Sequence, residues 1–388
     1  MADLPGRDEQ SATAIATFQA STHLCFGPGC AASIGQTALS LSIHSALVVS
    51  DPGVRAAGIT DRIGAMLTKS GVGNVIFDEV EPNPSLETSE CGIAMYRNSG
   101  CAGLVAVGGG SSIDSAKAIG ILATNPGTLL DYVGADKVIN PLPPLLVLPT
   151  TVGSGSEVTR FAVITDRTQR KKQVITSSFV SPNYAFLDPD VVDLLPSHLI
   201  ASTGMDTLTH AIESVISNYA SPFSDALALE AIRLVRMYLA LASRSTDKTA
   251  RARMLYASTM AGMAFNNART GLVHGMSHPL SSYYGVPHGL ANAILLPYVL
   301  EFDLPACVAA MTRVAAAMGQ MAKPEAAIDA VRDLRTDLGI PSTLSDVGVT
   351  EVWLPNMTQD AFESGNARLV NPRAPSYHEI EALYLRAL

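Results

Sequence analysis

The sequence predicts a two-domain protein in which an α/β domain, built on a parallel sheet, precedes an all-α domain. Short and almost continuously apolar runs alternate with helical stretches over residues 13–195, a pattern typical of parallel strands covered on both faces. From Pro196 to the C-terminus the strand signals stop and helical periodicity takes over. We therefore divide the chain into a flexible tail (1–12), an α/β domain (13–195) and a helical domain (196–388).

The α/β domain is expected to hold four parallel strands with helices between them. Each strand is a run of aliphatic residues that ends in a turn. Beyond Glu157 three more strand-like runs follow one another closely, which predicts an antiparallel addition. The predicted strands are 45–51, 74–80, 103–110 and 145–151, the helices 53–70, 85–99 and 113–123, and the later strands 158–166, 171–178 and 184–190.

The helical domain is predicted from helix caps and periodicity. Ser221 followed by Pro222 marks a helix start, because serine caps free amides and proline suits the first helical position. The segment that contains Asp206 is also expected to be helical. The other predicted helices are 222–244, 247–268, 272–284, 289–302, 305–319 and 324–339.

Composition and charge narrow the possible classes of function. Of the 388 residues, 47% are hydrophobic and 16% are charged, which indicates a compact globular protein. The net charge of −9 argues against nucleic acid or an anionic membrane as a partner. Five cysteines without a CxxC pair suggest thiols in a reducing compartment, and the sequence shows neither a signal peptide nor a membrane span. We expect a cytoplasmic protein.

Two loops of small residues predict a dinucleotide-binding, Rossmann-like domain. Residues 107–117, VGGGSSIDSAK, follow a predicted strand and open a predicted helix. Three glycines would let the backbone approach a pyrophosphate, which the helix amides and dipole would then face. A tight strand-to-helix turn is the alternative explanation. The loop TTVGSGSE at 150–157 also follows a strand, and its hydroxyls and amides could hold the same cofactor from the other side.

Asp51 lies at the end of the first predicted strand, where it could accept hydrogen bonds from a ribose diol. Such a carboxylate would repel a 2′-phosphate, so it favours NAD(H) over NADP(H) as the cofactor. Turn formation before Pro52 is the alternative explanation of this aspartate.

Imidazoles and one carboxylate are concentrated in two short blocks of the predicted helical domain. Asp206 and His210 are four residues apart, as are His274 and His278, so each pair projects from one helix face. His288 follows a Gly-Val-Pro turn that would bring the chain back. Such a set can surround a divalent cation, although single buried histidines are often satisfied by a backbone carbonyl. Spacing alone does not choose between His278 and His288 as a ligand.

Taken together, these motifs resemble those of the iron-dependent (group III) alcohol dehydrogenase family. The resemblance extends over nearly the whole chain and includes the NPR segment at 371–373. It is most specific in GGGSSIDSAKAIG, PTTVGSGSEVTRFAVITD, GMDTLTHAIES and AGMAFNNARTGLVHGMSHPLSSYYGVPHGLANAILLP. The resemblance implies the dehydroquinate synthase-like fold of iron-containing alcohol dehydrogenases, with a dinucleotide-binding α/β domain followed by a helical metal-binding domain.

The same resemblance implies a function: reversible hydride transfer between a small primary alcohol and NAD. It implies a homodimer, for which pairing of N-terminal strands is one arrangement. It implies Fe²⁺ held by Asp206, His210, His274 and His288, with His278 as a proton relay, and this thiolate-free set would also accept Zn²⁺ or Mn²⁺. The positions that match cofactor contacts are Gly109, Gly110, Ser111, Asp114, Thr150, Thr151, Ser154 and Lys172, and Phe265 matches a substrate-pocket position.

The sequence departs from the family pattern at Arg269 and Thr270, where many members carry small or aliphatic residues. Arg269 could bind an anionic group on the substrate, since a guanidinium suits oxyanions. A structural arginine that bonds helix-end carbonyls or lies in a subunit interface is the alternative.

Other functions remain open at this point. They are a metal-dependent lyase or synthase of the dehydroquinate synthase type, a metal-free enzyme like maleylacetate reductase, and a non-catalytic metal or nucleotide sensor. The complete ligand set favours the metal-dependent branch, and the HxxxH and GVPHG blocks match the dehydrogenases better than the lyases.

Overall fold

The computed structural model describes residues 16–388, apart from the side chains at positions 366 and 367. The predicted tail over residues 1–12 lies outside this range. Within the described range, nine strands form two sheets. The strands are β1 His23–Phe26, β2 Ser45–Val49, β3 Gly73–Phe77, β4 Gly103–Gly108, β5 Gly134–Ala135, β6 Leu145–Pro149, β7 Phe161–Asp166, β8 Lys171–Thr176 and β9 Tyr184–Leu187.

The larger sheet has the strand order β1-β9-β6-β4-β2-β3, and every neighbouring pair is parallel. The central strands β4 and β6 are buried along their whole length, because helices cover both faces. The smaller sheet has the order β5-β8-β7, in which β7 and β8 are antiparallel. Its strand β7 alternates buried and half-buried residues, as expected for a strand with one covered face.

The prediction of an antiparallel addition is right for β7 and β8 and wrong for the third strand. That strand, β9, pairs in parallel with β1 and β6 inside the larger sheet. Its last three residues are buried, which a continuously apolar strand achieves only between two covering layers. The edge strand β1 and the short β5 were not among the predicted strands.

Helices of the α/β part largely match the prediction. The predicted helix 53–70 is interrupted by Gly58, which has φ 76° and so ends one helix and begins the next. The helix that follows the glycine loop, α5 (Gly110–Thr124), begins directly after β4, at the carboxyl edge of the larger sheet. The helices are α1 Ile34–Ser40, α2 Pro52–Ala56, α3 Ile59–Lys69, α4 Leu86–Asn98, α5 Gly110–Thr124 and α6 Pro189–Val192.

From Ser197 onward the described chain is helical. Ser221 caps its helix by accepting a hydrogen bond from the Ser224 amide, as predicted. The predicted helix 305–319 is split into a 3₁₀ turn, Leu304–Ala306, and α12. The helices are α7 Ser197–Ile216, α8 Pro222–Arg244, α9 Lys248–Ala268, α10 Leu272–Tyr284, α11 His288–Asp303, α12 Val308–Ala317, α13 Pro324–Asp337, α14 Leu354–Glu363, α15 Gly365–Leu369 and α16 Tyr377–Ala387.

The two halves meet where the second small-residue loop contacts α9. A Cβ atom at Gly155 would lie 2.5 Å from the Gly262 Cα, so the two backbones touch only because both residues are glycine. The same loop contacts α7, where Thr207 Oγ1 donates to the Val152 oxygen at 2.6 Å, so the carboxyl edge of the larger sheet lies against a helix that carries predicted ligands. The domain limit at 195–196 stays a prediction. Among the described helices, none has the length and apolar character that a membrane span requires.

Candidate active site

The predicted metal ligands converge on one carboxylate oxygen. Asp206 and His210 lie one turn apart on α7, and His274 lies on α10. The Asp206 Oδ1 atom is 3.9 Å from His210 Nδ1 and 3.7 Å from His274 Nε2. All three side chains are buried, and their ligand atoms lie within 4.8 Å of one another. This spacing suits ligand atoms that share one cation.

His288 reaches the same point from the first residue of α11, with its Nε2 atom 3.9 Å from Asp206 Oδ1. The His278 ring lies farther out, with its centroid 5.3 Å from that of His288 and 6.3 Å from that of His274. The geometry therefore brings together the four residues that the resemblance names as ligands and leaves His278 beside them. Spacing in the sequence could not make this distinction.

The unsatisfied state of one imidazole indicates that a cation fits the cluster. His210 stacks between Phe265 and His274, with ring centroids 4.2 and 4.4 Å away. Its Nδ1 atom is buried and finds no hydrogen-bond partner among the described residues. Burial lowers the pKa of His210 to about 4, so the ring is neutral and its lone pair is available at neutral pH. An orphaned lone pair of this kind costs free energy unless a cation accepts it.

Glu213 orients His274 from the side away from the cluster. Its Oε2 atom is 2.5 Å from His274 Nδ1, which assigns the proton to Nδ1 and leaves Nε2 to face Asp206. Burial opposes protonation of His274, but the charge and hydrogen bond of Glu213 outweigh it and raise the pKa of that imidazole. The sequence analysis did not single out Glu213, although its position three residues after His210 puts it near the same helix face.

Asn292 is a second functional residue that the sequence analysis missed. It is fully buried on α11, one turn after His288. Its Nδ2 atom is 2.7 Å from Asp206 Oδ1 and 3.2 Å from the Nε2 atoms of both His274 and His288. The carboxamide therefore fixes the carboxylate that all the histidines face. Helical spacing from His288 was the available signal.

The two predicted cofactor loops pack against each other. A Cβ atom at Gly109 would lie 2.9 Å from Thr151 Cγ2, and one at Gly110 would lie 2.8 Å from Ser154 Cβ. Glycine is thus required for the close approach of the loops. Ser111 and Asp114 follow on the first turns of α5, and Thr150 is buried at the start of the second loop. The helix amides at this end face the carboxyl edge of the sheet, where a pyrophosphate would lie.

A buried polar network ties these loops together. Asp114 accepts hydrogen bonds from Ser156 and from the Val163 amide. The fully buried Lys117 donates to Ser156 Oγ at 3.0 Å and to the Thr159 backbone oxygen at 3.0 Å, and its Nζ atom is 3.6 Å from Asp114. Lys117 was not predicted as a site residue, because its role depends on residues about 40 positions away.

Asp51 forms the predicted turn and also contacts the glycine loop. Its Oδ1 atom caps α2 by accepting hydrogen bonds from Gly53 and Val54 amides, each 3.0 Å long. Its Oδ2 atom accepts a hydrogen bond from Ser112 Oγ at 3.2 Å, which joins it to the glycine loop. Turn formation is therefore observed, and the ribose contact stays a prediction that its location beside the loop supports.

Lys172 and Phe265 border the cluster. Burial lowers the pKa of Lys172 to about 8, opposed by the charges of Asp206 in the ligand cluster and of Asp114 on the glycine-loop helix. Phe265 stacks on His210 and also faces Phe161, with ring centroids 6.2 Å apart. These positions agree with a cofactor contact for the lysine and an apolar pocket wall for the phenylalanine.

Arg269 ends α9 with an unusual backbone. Its φ of 65° and ψ of 176° fall in a region that is essentially restricted to glycine. The guanidinium lies 4.4 Å from the ring centroid of Tyr219. This cation–π contact supports the structural alternative for Arg269, and the contact with an anionic substrate stays a prediction.

Comparisons with known proteins place the chain in one family. Residues 21–189 match the family model described as iron-containing alcohol dehydrogenase, and residues 200–388 match the C-terminal model of the Fe-containing alcohol dehydrogenase family. The chain is 42% identical over 372 residues to the 1,3-propanediol dehydrogenase of Klebsiella pneumoniae, covering 93% of this chain and 96% of that protein.

Solved structures agree with the sequence comparison. A 1,3-propanediol oxidoreductase aligns with a TM-score of 0.94 and 40% identity, covering 97% of this chain and 100% of that one. The sulfoacetaldehyde reductase of Bifidobacterium kashiwanohense, solved with NAD⁺, aligns with a TM-score of 0.87 and 29% identity, covering 96% and 99%. The predicted fold, enzyme class and cofactor types are thereby confirmed at the level of the family. The chain belongs to the iron-containing alcohol dehydrogenases.

Proposed function

We propose that this protein oxidises a small primary alcohol with NAD⁺ and, in the reverse direction, reduces the corresponding aldehyde with NADH. The observation that carries the proposal is the convergence of three imidazoles on Asp206 Oδ1, next to the two loops predicted to hold the cofactor. The lyase alternative is not favoured, because the family models and the relatives above are dehydrogenases or reductases.

Asp206, His210, His274 and His288 would hold an Fe²⁺ ion. When bound, the ion supplies Lewis-acid polarisation of the substrate oxygen. Burial lowers the pKa of His288 well below its ordinary value, as it does for His210, so these rings do not need to lose a proton before they bind a cation at neutral pH. Since the set contains no thiolate, Zn²⁺ and Mn²⁺ are alternative occupants.

His278 is the residue that we assign to proton transfer. It lies one turn after His274 on α10, close to the ligands but outside the group that faces Asp206. Burial and the charge of Lys172 lower the pKa of His278 well below its ordinary value. The ring is therefore neutral at rest, with a nitrogen free to take the proton of the alcohol, although the lowered pKa makes it a weaker base.

The cofactor would lie along the carboxyl edge of the larger sheet. Its pyrophosphate would face the amides of Gly109, Gly110 and Ser111 at the start of α5. Thr150, Thr151 and Ser154 would close the opposite side of the cofactor, with Asp114 bracing both loops. Asp51 and Lys172 would contact the ribose groups, which favours NAD(H) over NADP(H).

A neutral substrate is favoured over an anionic one. Phe265 and Phe161 supply apolar walls near the cluster, and the guanidinium of Arg269 is stacked on Tyr219. The similar 1,3-propanediol enzymes support a short neutral alcohol. The similar sulfoacetaldehyde reductase supports the alternative of an anionic substrate, for which Arg269 is the candidate contact.

A substrate panel tests this assignment. NADH absorbance would be followed with short neutral aldehydes and with carboxylated or sulfonated aldehydes of the same length, using wild-type protein and Arg269→Gly. We expect a higher kcat/KM for the neutral aldehydes and no change in KM for either class in the variant. A preference for anionic aldehydes that Arg269→Gly abolishes would establish the anionic alternative instead.

The oligomer and the location are further parts of the proposal. Strand β1 is an edge of the larger sheet, and three of its four residues are exposed, including Phe26 at 70% exposure. An exposed apolar edge strand is suited to pairing with the same strand of a second chain, so we propose a homodimer. The five cysteines are all free, which agrees with a reducing, cytoplasmic location.

A further inference from the structure

The start of α10 is held by two side chains from distant parts of the chain. The Leu272 amide donates to Asn371 Oδ1 at 3.0 Å, and the Val273 amide donates to Glu213 Oε1 at 2.7 Å. The cap residue itself, Gly271, contributes no side chain. A Cβ atom there would lie 2.8 Å from Asn371 Oδ1 and 3.1 Å from Glu213 Oε1, so glycine leaves room for both caps. These contacts replace the missing intrahelical bonds of the first amides.

Asn371 connects α10 with the far end of α11. Its side chain is buried, and its Nδ2 atom donates to Asp303 Oδ1 at 2.6 Å and to the Arg373 backbone oxygen at 2.9 Å. Asp303 is the fully buried last residue of α11. Asn371 therefore bridges the first residue of one histidine-bearing helix and the last residue of the other.

A nearby segment of the same chain, just after α7, fixes the position of Asn371. Asn218, just after α7, donates from Nδ2 to the Asn371 backbone oxygen at 2.7 Å and from its amide to the Val370 oxygen at 2.8 Å. All three helices that carry predicted ligands are thus joined through one residue of the NPR segment. Hydrogen bonds to α10, to α11 and to the segment just after α7 hold Asn371 in a defined position, which an unbonded loop residue would not have.

This bridge acts on the ligand geometry through the helix start. His274 is the third residue of α10, so its position relative to Asp206 depends directly on where the first two residues are held. Glu213 takes part twice, since one oxygen caps Val273 and the other fixes the proton on His274. Ligand sets require placement to within a fraction of an ångström, which neighbouring hydrogen bonds provide.

We propose that Asn371 is a positioning residue for the metal centre, which sets His274 by capping α10 and by bonding Asp303 at the end of α11. The inference rests on the proposed metal site. The role belongs to a segment near the C-terminus that contributes no ligand and lies 99 positions from Leu272 in the chain.

Co²⁺ titration of metal-stripped protein tests this inference without turnover. Dissociation constants and visible ligand-field spectra would be measured for wild type, Asn371→Leu and Asn371→Asp. Asn371→Leu removes all three side-chain hydrogen bonds of this residue, so we expect about 10- to 100-fold weaker Co²⁺ binding and a changed spectrum. Asn371→Asp keeps the cap on Leu272 but loses the donor to Asp303, so we expect an intermediate loss.

A reciprocal exchange and a control complete the experiment. The double variant Asn371→Asp/Asp303→Asn restores one donor and one acceptor, so it should recover most of the affinity and the wild-type spectrum. His378→Ala, which removes an exposed contact with Glu381 on α16, should change neither. Wild-type affinity and spectrum in Asn371→Leu, or no recovery in the double variant, would overturn the inference. Absence of Co²⁺ binding in wild type, or equal binding in Asp206→Ala, would instead overturn the metal site itself.

Discussion

Hydrogen bonds to the back of a ligand decide how a histidine presents its lone pair. Glu213 and His274 are 61 positions apart in the chain, yet their side chains are 2.5 Å apart and both are buried. The carboxylate fixes the tautomer, turns the ring toward Asp206 and increases the electron density at Nε2. Asn292 differs from Glu213, because it donates to the Asp206 Oδ1 atom that the histidines face. Removal of Glu213 should weaken the metal centre without removing a ligand.

Glu213→Gln should weaken metal binding by about 10- to 100-fold, because a neutral amide neither increases the basicity of His274 nor fixes its tautomer. The dissociation constant would be measured by competition with a chelator. Glu230→Gln is the matched control, since Glu230 lies on the surface and bonds Arg233. Equal affinities in wild type and Glu213→Gln would show that the contact does not support the metal.

Because the backbone of Arg269 is strained, glycine should raise the free energy of unfolding at position 269 and lower it at an ordinary helix position such as 253. A non-glycine residue in this φ/ψ region costs about 1–3 kcal/mol, whereas an exposed cation–π contact contributes about 0.5–1 kcal/mol. Arg269→Gly should therefore raise the free energy of unfolding by about 1 kcal/mol in urea denaturation. Arg253→Gly, inside α9, should lower it by about 1 kcal/mol. A stability loss in both variants would contradict the strain.

At the residue scale, the sequence was sufficient to single out candidate site residues that belong to a rare chemical type and share a helix with a partner. Asp206 and His210, or His274 and His278, are spaced for one helix face, and imidazole clusters have few explanations. Glu213 and Asn292 belong to common residue types, so only their distance from a ligand reveals them. Asn371 could not be found this way, because it meets α10 only through the tertiary fold.

Helix α5 is the element that joins the sheet to the site, and its inner face carries charge. Lys117 is fully buried and is surrounded by Asp114, Glu157, Ser156 and Thr159. Burial raises the pKa of both carboxyl groups and lowers that of the amine, as expected for charges removed from water. The network holds the glycine loop and the second loop in fixed positions, so it supports the predicted cofactor site.

Lys117→Met should lower the free energy of unfolding by about 3–5 kcal/mol, because it leaves the buried acids without their partner. The exposed Lys69, replaced in the same way, should have little effect. Urea denaturation at neutral pH measures both. A near-neutral effect of Lys117→Met would mean that the network contributes little to stability.

The same variant has a defined pH signature. Burial lowers the pKa of Lys117 to about 8, from 10.5 in the unfolded chain. Between these values the unfolded chain binds more protons, so stability should rise with pH. In Lys117→Met protein, the contribution of Lys117 to this rise in stability should be absent. The contribution of Lys172, whose pKa is also about 8, should remain. An unchanged slope of unfolding free energy against pH would contradict the lowered pKa.

Elements were predictable where one local pattern determined them. The central strands and helices α8–α10 follow from apolar runs, caps and periodicity. The prediction assigned strand β9 to the wrong sheet, because an apolar run in the sequence does not determine which strands will pair with it. The break at Gly58 was missed because a glycine inside a helical pattern is often tolerated.

For the whole molecule, the edge strand β1 sets the expected assembly. In a parallel pair, alternate amides point to the neighbouring strand: the His23 amide donates to Asn183, just before β9, and the Gly27 amide donates to Leu187, the last residue of β9. The Leu24 amide therefore points away from β9, toward the side that a second chain would occupy.

Leu24→Pro should shift the protein from dimer to monomer, because it removes an outward donor and leaves the bonds to β9 intact. Leu24→Thr keeps the amide and should stay dimeric, as the matched control. Sedimentation velocity distinguishes the two states. A dimeric Leu24→Pro protein with wild-type affinity would show that the chains meet through another surface.

The architecture as a whole places a predicted NAD-binding edge against a predicted iron site, which is the arrangement that metal-dependent hydride transfer requires. The most direct test is NADH absorbance after addition of short aldehydes to metal-stripped protein, before and after anaerobic reloading with Fe²⁺. We predict that NADH is consumed only after reloading, in proportion to bound iron, and that Asp206→Ala protein stays inactive. NADH consumption that is independent of metal, or no consumption with any aldehyde despite bound iron and NADH, would contradict metal-dependent hydride transfer by this protein.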